Sequence, residues 1–279
     1  MKVKILTDTA SDLTAEETEK LQVTEIVLPV IFSGESEEVT DKKIFWEKLL
    51  AGGVAKTSQP SREVFEKAFS EAKEGGYELV CILLSPKLSG AFESAVAAKK
   101  QVGYDKIYLA NTAHCAGSAA EKMLVFEACK LRDAGASAQE IVEKVTALSK
   151  RVRLYACLDS LLYLGSGGRI PKSIAAVGTA LHIKPMITFT QEGSVAVEAK
   201  SIGLRLAMKK MVEVVLKEKI DKNYKAIPIY ADRDDNLRKF LELLGGKIHL
   251  EMYPQSDIGA TIATHIGPNA FGLVYVTEE

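Results

Sequence analysis

The sequence predicts an α/β protein with two domains, an N-terminal one with a mostly parallel sheet flanked by helices and a C-terminal α/β one. Short apolar runs alternate with helical patterns through the first half of the 279 residues, which is typical of a parallel sheet covered by helices. A second series of strand and helix patterns begins near Arg153. We therefore expect the domain boundary between residues 152 and 153.

Four apolar runs in the first half predict strands, and helical patterns lie between them. Residues 79–84 are apolar at every position, as expected for a strand buried on both faces. Thr14 with Glu17, and Ser137 with Glu140, form capping boxes that begin helices. The predicted strands are residues 3–6, 26–31, 79–84 and 106–110, and the other predicted helices are 43–50, one after Pro60, and 116–132.

The second half begins with a strand and then shows a hairpin pattern. Residues 185–190 and 195–200 are strand-like and are separated by a short polar turn, which favours a β-hairpin. A helix at 204–219 follows. The remaining predicted strands are residues 154–158, 226–231, 247–253 and 271–276.

Composition excludes several functional classes. The net charge is -1 and the basic residues are spread along the chain, whereas a nucleic-acid binder normally shows a basic stripe. No apolar run approaches the roughly 18 residues that a membrane span needs, and the N-terminus lacks a signal-peptide core. We therefore expect a cytoplasmic protein that binds no nucleic acid and does not insert stably into a membrane.

The four cysteines are Cys81, Cys115, Cys129 and Cys157, and none forms a Cys-x-x-Cys pair. We expect buried free thiols in a reducing compartment. The sequence also lacks a Gly-x-Ser-x-Gly elbow and a His-Glu-x-x-His motif. These absences predict a binding protein with no metal and no cofactor, and not an enzyme.

Hydroxyl, glycine and cationic residues recur in the loops that follow predicted strands. Ligands bind at that edge of an open α/β sheet, and helix N-termini there favour anions. A single hydroxyl at a helix start is more often a cap, but the set together predicts an anion site. Its members are Thr57, Ser58, Ser89, Gly90, Arg169 and His265.

Five short segments together resemble the motifs of the DegV family, in the same order and at similar spacing. The segments are TDTASDL at residues 7–13, TSQPS at 57–61, LSG at 88–90, GGRI at 167–170 and HIGP at 265–268. The resemblance implies a long-chain fatty acid in a tunnel between the two domains. It also implies that hydroxyls of Thr57, Ser58 and Ser89 hold the carboxylate, with Arg169 and His265 at the head-group end.

The same resemblance implies a partner. Well-studied DegV proteins are the fatty-acid-binding subunits of bacterial fatty acid kinase, in which a separate kinase subunit phosphorylates the bound acid. The sequence thus predicts a lipid carrier rather than a catalyst. We further expect Arg169 or a protonated His265 to keep the bound carboxylate ionised, because an apolar site alone favours the protonated acid.

Two alternatives stay open at this point. Ser89 and His265, with an acid such as Asp8 or Asp12, would form the triad of a serine hydrolase acting on a lipid or ester, although Ser89 lacks the elbow motif. The other alternative is an interaction or regulatory protein whose bound lipid is incidental.

Overall fold

The computed structural model describes residues 2–114, 117–171, 173–174 and 182–279. The chain divides into two compact units. Unit 1 comprises Met1–Pro29, Ser58–Lys150 and Gln191–Gly193, and unit 2 comprises Val30–Thr57, Arg151–Thr190 and Ser194–Glu279. The domain boundary between residues 152 and 153 stays a prediction.

The elements are numbered here in chain order. The strands are β1 (Val3–Asp8), β2 (Val23–Ile26), β3 (Val30–Phe32), β4 (Ala55–Thr57), β5 (Glu78–Cys81), β6 (Ile107–Leu109), β7 (Val152–Cys157), β8 (Ile183–Phe189), β9 (Val195–Ile202), β10 (Ile227–Tyr230), β11 (Ser256–Asp257) and β12 (Phe271–Val276). The helices are α1 (Ala15–Leu21), α2 (Lys42–Leu50), α3 (Arg62–Glu74), α4 (Ala91–Val102), α5 (Ala119–Asp133), α6 (Ala138–Ser149), α7 (Leu162–Ser166), α8 (Leu204–Lys217), α9 (Asp235–Gly245) and α10 (Ala260–Ile266).

Unit 1 is built on a parallel sheet of strand order β2-β1-β5-β6. Successive side chains of a strand point to opposite faces, and β1 shows this directly. Leu6 packs with the phenylalanines of α3 and the alanines of α4, whereas Thr7 donates a hydrogen bond to Glu121 of α5. Helices thus cover both faces of the sheet, which confirms the predicted fold class.

The predicted capping boxes are confirmed, but one predicted strand is wrong. The hydroxyls of Thr14 and Ser137 each accept from the amide of the third helical residue, a glutamate, and the amides of Thr14 and Ser137 donate to the carboxylate of that glutamate. Residues 26–31 do not form a single strand, because Pro29 has no N–H to donate and separates two short strands. β2 pairs with β1, whereas β3 pairs with β4 in an antiparallel ribbon.

Unit 2 contains a six-stranded mixed sheet of order β11-β10-β12-β7-β8-β9. Only the β10–β11 pair among these strands is parallel. The predicted hairpin is confirmed as β8 and β9, with an irregularity between Met186 and Ile187. Residues of α8 and α9 pack together with Tyr155 and Leu273 in one core, so both helices cover the same face.

The predicted strand at residues 247–253 is wrong. Its alternating apolar residues do pack against the unit 2 core, as Ile248, Leu250 and Met252 show. The backbone, however, pairs with its neighbour at a single bridge, between Ala226 and Met252. The pairing resumes only at β11, so the alternation reflects packing rather than a continuous ladder.

The three described cysteines are buried thiols. Cys81, Cys129 and Cys157 are buried and free of disulfides, as predicted, and burial raises the thiol pKa of Cys157 to about 12. Cys115 and the predicted helix start at Ala116 lie outside the described residues, within which α5 begins at Ala119. Within those residues no helix combines the length and apolar character needed to cross a membrane.

Candidate functional site

In unit 2, the structure brings Thr57 and His265 together. Thr57 is the last residue of β4, where it pairs with Val30, and His265 lies in the last turn of α10. The Oγ1 atom of Thr57 is 2.8 Å from Nε2 of His265, although the residues are far apart in sequence. The strand end and the helix end therefore create a hydroxyl–imidazole pair.

Two glycines allow the close packing around this pair. A Cβ atom on Gly167 would lie 2.2 Å from Nδ1 of His265, and one on Gly267 would lie 2.4 Å from the Tyr163 ring. Gly267 also has φ +73°, a backbone conformation that side-chain-bearing residues rarely adopt. Gly167 of the GGRI segment thus makes room for the imidazole, and Gly267 of the HIGP segment makes room for the Tyr163 ring.

The His265 imidazole is neutral at pH 7. Burial, with a further contribution from the charge of Arg169, lowers its pKa from 6.5 to about 4. Of the two cations considered for keeping a carboxylate ionised, Arg169 is therefore favoured over a protonated His265, since a charged imidazole is costly in this half-buried position.

The pairing of His265 with Thr57 leaves the Thr57 hydroxyl able to donate a hydrogen bond. Its Nδ1 atom is buried and has no hydrogen-bond partner in the described part of the chain. In the tautomer that carries its proton on Nε2, the ring donates to Thr57 and leaves the hydroxyl proton of Thr57 for another acceptor.

Arg169 supplies positive charge near this pair. It follows Gly168, which has φ +74°, and its guanidinium donates to the carbonyl of Gly167. Burial lowers the pKa of Arg169, but a guanidinium in a protein stays protonated. Because its charge depresses the pKa of His265, Arg169 is the cation that acts on the imidazole.

In unit 1, Ser58, Ser89 and Gly90 lie on two neighbouring segments. The Oγ atom of Ser89 accepts from the Ala91 amide at 3.2 Å, at the start of α4, and keeps its own proton for donation. A Cβ atom on Gly90 would lie 1.7 Å from Oε1 of Gln59, so glycine is needed where Gln59 approaches. The residue beside Gln59, Ser58, is exposed, and its amide donates to the Pro29 carbonyl.

The helix that follows the TSQPS segment begins after Pro60, as predicted. Ser61 is the N-cap of α3, which starts at Arg62. Thr57 and Ser58 therefore lie upstream of the helix start, and Pro60 precedes the N-cap. Ser89, by contrast, stands directly before the α4 N-cap Gly90.

The acids considered for a hydrolase triad have other roles. The Asp8 carboxylate accepts from the amides of Ala10 and Leu84, each at 2.9 Å. Asp12 accepts from the Ser118 hydroxyl at 2.7 Å. A triad needs a carboxylate on Nδ1 of the histidine, and Nδ1 of His265 has no partner among the described residues. The geometry therefore gives the hydrolase alternative no support.

Asp8, the buried Glu121 and the half-buried Glu25 all have raised carboxyl pKa values. Burial, opposed by two backbone hydrogen bonds and augmented by the charge of Asp12, raises the pKa of Asp8 to about 6. Burial and the charge of Asp8 raise that of Glu121 well above its usual range, and burial raises that of Glu25 to about 7. No three His, Cys, Asp or Glu side chains in the described ranges are arranged to hold a metal ion.

A cavity of about 480 Å³ lies at the other end of the unit 1 strands. Its lining includes Lys2 and Lys4 at the start of β1, Thr24 of β2 and Arg132 of α5. None of the six predicted site residues lines it, and its polar wall does not suit an acyl chain. This cavity is therefore separate from the predicted carboxylate site.

The six predicted residues thus form two groups. Thr57, Arg169 and His265 belong to unit 2, and Ser58, Ser89 and Gly90 belong to unit 1. Sequence reasoning did not single out Tyr163, Gln59 or the contacts of Asp8. The only sequence signal for Tyr163 and Gln59 was the presence of glycines at 267 and 90, whose need for close packing becomes visible in three dimensions.

The fold defines the class: an α/β protein of two compact units, each with polar donors beside the ends of strands or helices. The sequence profile of the DegV family, described as a family of uncharacterised proteins, matches residues 2–278. The chain belongs to the DegV family.

Known relatives agree in sequence and in structure. The DegV protein of Bacillus subtilis is 30% identical over 283 residues, which cover 99% of each chain. A DegV lipid-binding protein of Thermotoga maritima matches with a TM-score of 0.87 and 28% identity over 100% of both chains. A DegV family protein of Thermus thermophilus, solved as a study of fatty acid binding, matches with a TM-score of 0.86 and 27% identity over 100% of both chains.

Proposed function

We propose that this protein binds a long-chain fatty acid and that the hydroxyls of Thr57, Ser58 and Ser89 donate hydrogen bonds to its carboxylate. The observation that carries the proposal is the Thr57–His265 pair at 2.8 Å with the Arg169 charge acting on it. Donors of this kind suit an anion, and the Thermotoga and Thermus relatives are described as binding lipid and fatty acid.

The acyl chain and the head group have separate energetic roles. Removing about 15 methylenes from water contributes on the order of 12 kcal/mol before the costs of binding. Each hydrogen bond to a charged carboxylate adds roughly 1.5–3 kcal/mol, which desolvation of the carboxylate largely offsets. The acyl chain therefore sets the affinity, and the hydroxyls orient the carboxylate.

Arg169 keeps the bound carboxylate ionised in this proposal. An apolar surrounding raises the pKa of a carboxylic acid, and a nearby cation lowers it. Because His265 is neutral at pH 7, the imidazole orients Thr57 instead of supplying charge. Arg169 is therefore the cation that pairs with the carboxylate.

We further propose that the protein presents the acid to a separate kinase subunit in the cytoplasm. That subunit would transfer the γ-phosphoryl group of ATP to a carboxylate oxygen, giving an acyl phosphate and ADP. The DegV motifs of the sequence support this role. In it the present chain is a carrier: its donors hold the carboxylate while the partner supplies the phosphoryl group.

Native mass spectrometry with oleate and palmitate tests the binding proposal. We expect a lipid-sized adduct on the wild-type protein, and an oleate affinity about tenfold weaker in Ser89→Ala, since one hydrogen bond to a carboxylate is worth roughly 1.5–3 kcal/mol. Ser94→Ala, one turn further along α4, is the matched control and should bind as the wild type does. A spectrum without adduct after addition of either acid would contradict the proposal.

The kinase proposal has its own test. The oleate-loaded protein is mixed with a bacterial fatty acid kinase subunit and ATP, and acyl phosphate is trapped with hydroxylamine as the hydroxamate. We expect hydroxamate only when both proteins are present. Equal product from free oleate and kinase alone would show that this chain does not present the acid.

A further inference from the structure

The hydrogen bonds between β1 and β5, the two central strands of unit 1, end at the side chain of Asp8. The Ile82 amide donates to the Leu6 carbonyl at 2.8 Å, continuing the parallel ladder of β1 and β5. The next amide on that side of β5 is Leu84, which faces Asp8. It donates to Oδ2 of the Asp8 side chain at 2.9 Å, so a side chain takes the place of a backbone carbonyl.

The residues after Leu84 form a turn that carries Ser89. The amides of Leu88 and Ser89 both donate to the Ser85 carbonyl, at 2.9 and 3.1 Å, and the Lys87 amide donates to the Ser85 hydroxyl at 3.2 Å. The turn is therefore anchored at Ser85. Because Leu84 is the residue directly before this anchor, the hydrogen bond to Asp8 fixes the direction in which the turn leaves the sheet.

The orientation of Asp8 is itself held from two sides. Its Oδ1 atom accepts from the Ala10 amide at 2.9 Å, and its own amide donates to the Glu121 carboxylate. Glu121 also accepts from the Thr7 hydroxyl at 2.8 Å. Asp8 is fully buried, so no water competes for the Leu84 amide.

We propose that Asp8 is a positioning residue for the fatty-acid site, because its carboxylate aims the turn that carries Ser89 through the Leu84 amide. This inference rests on the proposed function and deepens it. Ser89 touches the ligand, whereas Asp8 acts through Ser89. The side chain of Asp12, four residues further on, is also buried and accepts from Ser118, so Asp12 serves as a control.

Amide hydrogen exchange of the ligand-free full-length protein tests the contact without any lipid. Relative to the amides of β10 and β12, we expect Leu84, Leu88 and Ser89 to exchange at least tenfold faster in Asp8→Ala. Asp8→Asn, which keeps one acceptor, should show a smaller increase and serves if the alanine variant does not fold. Asp12→Asn should leave these three amides unchanged. Unchanged exchange in both Asp8 variants would overturn the inference.

A double-mutant cycle on oleate affinity tests the action through Ser89. We expect Ser89→Ala to weaken binding about tenfold in the wild type but less than threefold in Asp8→Asn, with the tenfold effect retained in Asp12→Asn. An equal Ser89→Ala effect in the wild type and Asp8→Asn would show that Asp8 does not position Ser89. If the wild type binds no oleate, the proposed function fails, and the exchange measurement alone decides whether Asp8 holds the turn.

Discussion

The two units place polar groups in buried positions but use them differently. In unit 1, Asp8 accepts two backbone amides and Glu121 accepts the Thr7 hydroxyl. In unit 2, the Thr57–His265 pair leaves Nδ1 of the imidazole without a partner in the described part of the chain. The carboxyl groups of unit 1 organise the backbone, whereas the unit 2 pair retains hydrogen-bonding capacity for a ligand.

The two units also differ in the direction in which burial shifts the pKa of their titratable groups. Burial raises the carboxyl pKa values in unit 1, which shifts these groups toward the protonated acid. Burial and Arg169 lower the imidazole pKa in unit 2, so that region favours the neutral base. The same physical cause, desolvation of a charged form, thus acts on opposite chemical groups and predicts opposite responses to pH and to mutation.

The largest effect is expected from Asp8→Ala at pH 5. Two buried amides, those of Ala10 and Leu84, would lose their acceptor, and each unsatisfied buried donor costs about 1–3 kcal/mol. We expect urea unfolding to show a loss of roughly 2–6 kcal/mol. The exposed cap variant Thr14→Ala should lose only about 1 kcal/mol. Equal losses in the two variants would mean that Asp8 acts as an ordinary cap.

The pH dependence of stability should have opposite signs in the two units. Asp8 has its pKa raised from 3.8 to about 6, so its contribution is present below about pH 4 and is lost as pH rises through 6. The pKa of His265 is lowered from 6.5 to about 4, so its contribution is present above 6.5 and is lost as pH falls through 4. The contribution of each group to the free energy of unfolding is about 3 kcal/mol at most.

Urea unfolding between pH 4 and 8 separates these contributions. Relative to the wild type, Asp8→Asn should remove the loss on the alkaline side, and His265→Gln should remove the loss on the acidic side. Asp12, Glu25 and Glu121 interact with Asp8, so its transition should be broader than that of a single group. Parallel pH profiles for both variants would contradict the opposite signs.

A smaller effect is expected from Gly167→Ala in unit 2. The added methyl group would lie 2.2 Å from Nδ1 of His265, and overpacking of this kind costs about 1–3 kcal/mol. Displacing the ring should also break its bond to Thr57 and weaken oleate binding. Gly245→Ala is the control, because its Cβ would meet no atom within 4 Å and alanine favours the helix. Unchanged oleate binding by Gly167→Ala would show that the ring position does not matter.

The smallest effect is expected from Thr57→Val, which preserves shape and removes the hydroxyl. The neutral hydrogen bond to His265 contributes about 0.5–1.5 kcal/mol to stability, so unfolding should change little. Oleate affinity should fall more than stability, because the proposed donor to the carboxylate is lost. A variant that loses stability but binds oleate with unchanged affinity would assign Thr57 a purely structural role.

Much of the fold followed from local patterns. The capping boxes at Thr14 and Ser137, the buried strand after Glu78 and the β8–β9 hairpin all lie where periodicity and cap residues predicted them. The errors have a common cause, since both concern strand pairing. The break at Pro29 and the single bridge at Met252 depend on which neighbouring strand each segment pairs with. An alternating apolar pattern does not specify that neighbouring strand.

The candidate site was likewise predictable from the sequence only in part. Residue types alone identified hydroxyls, an arginine and a histidine near strand ends, and the ordered motifs indicated the DegV family. The lowered pKa of His265 and the hydrogen bond from the Leu84 amide to the Asp8 side chain were decided only by the tertiary structure. Both depend on burial and on contacts between residues distant in sequence, because desolvation and hydrogen-bond geometry exist only once the chain has packed.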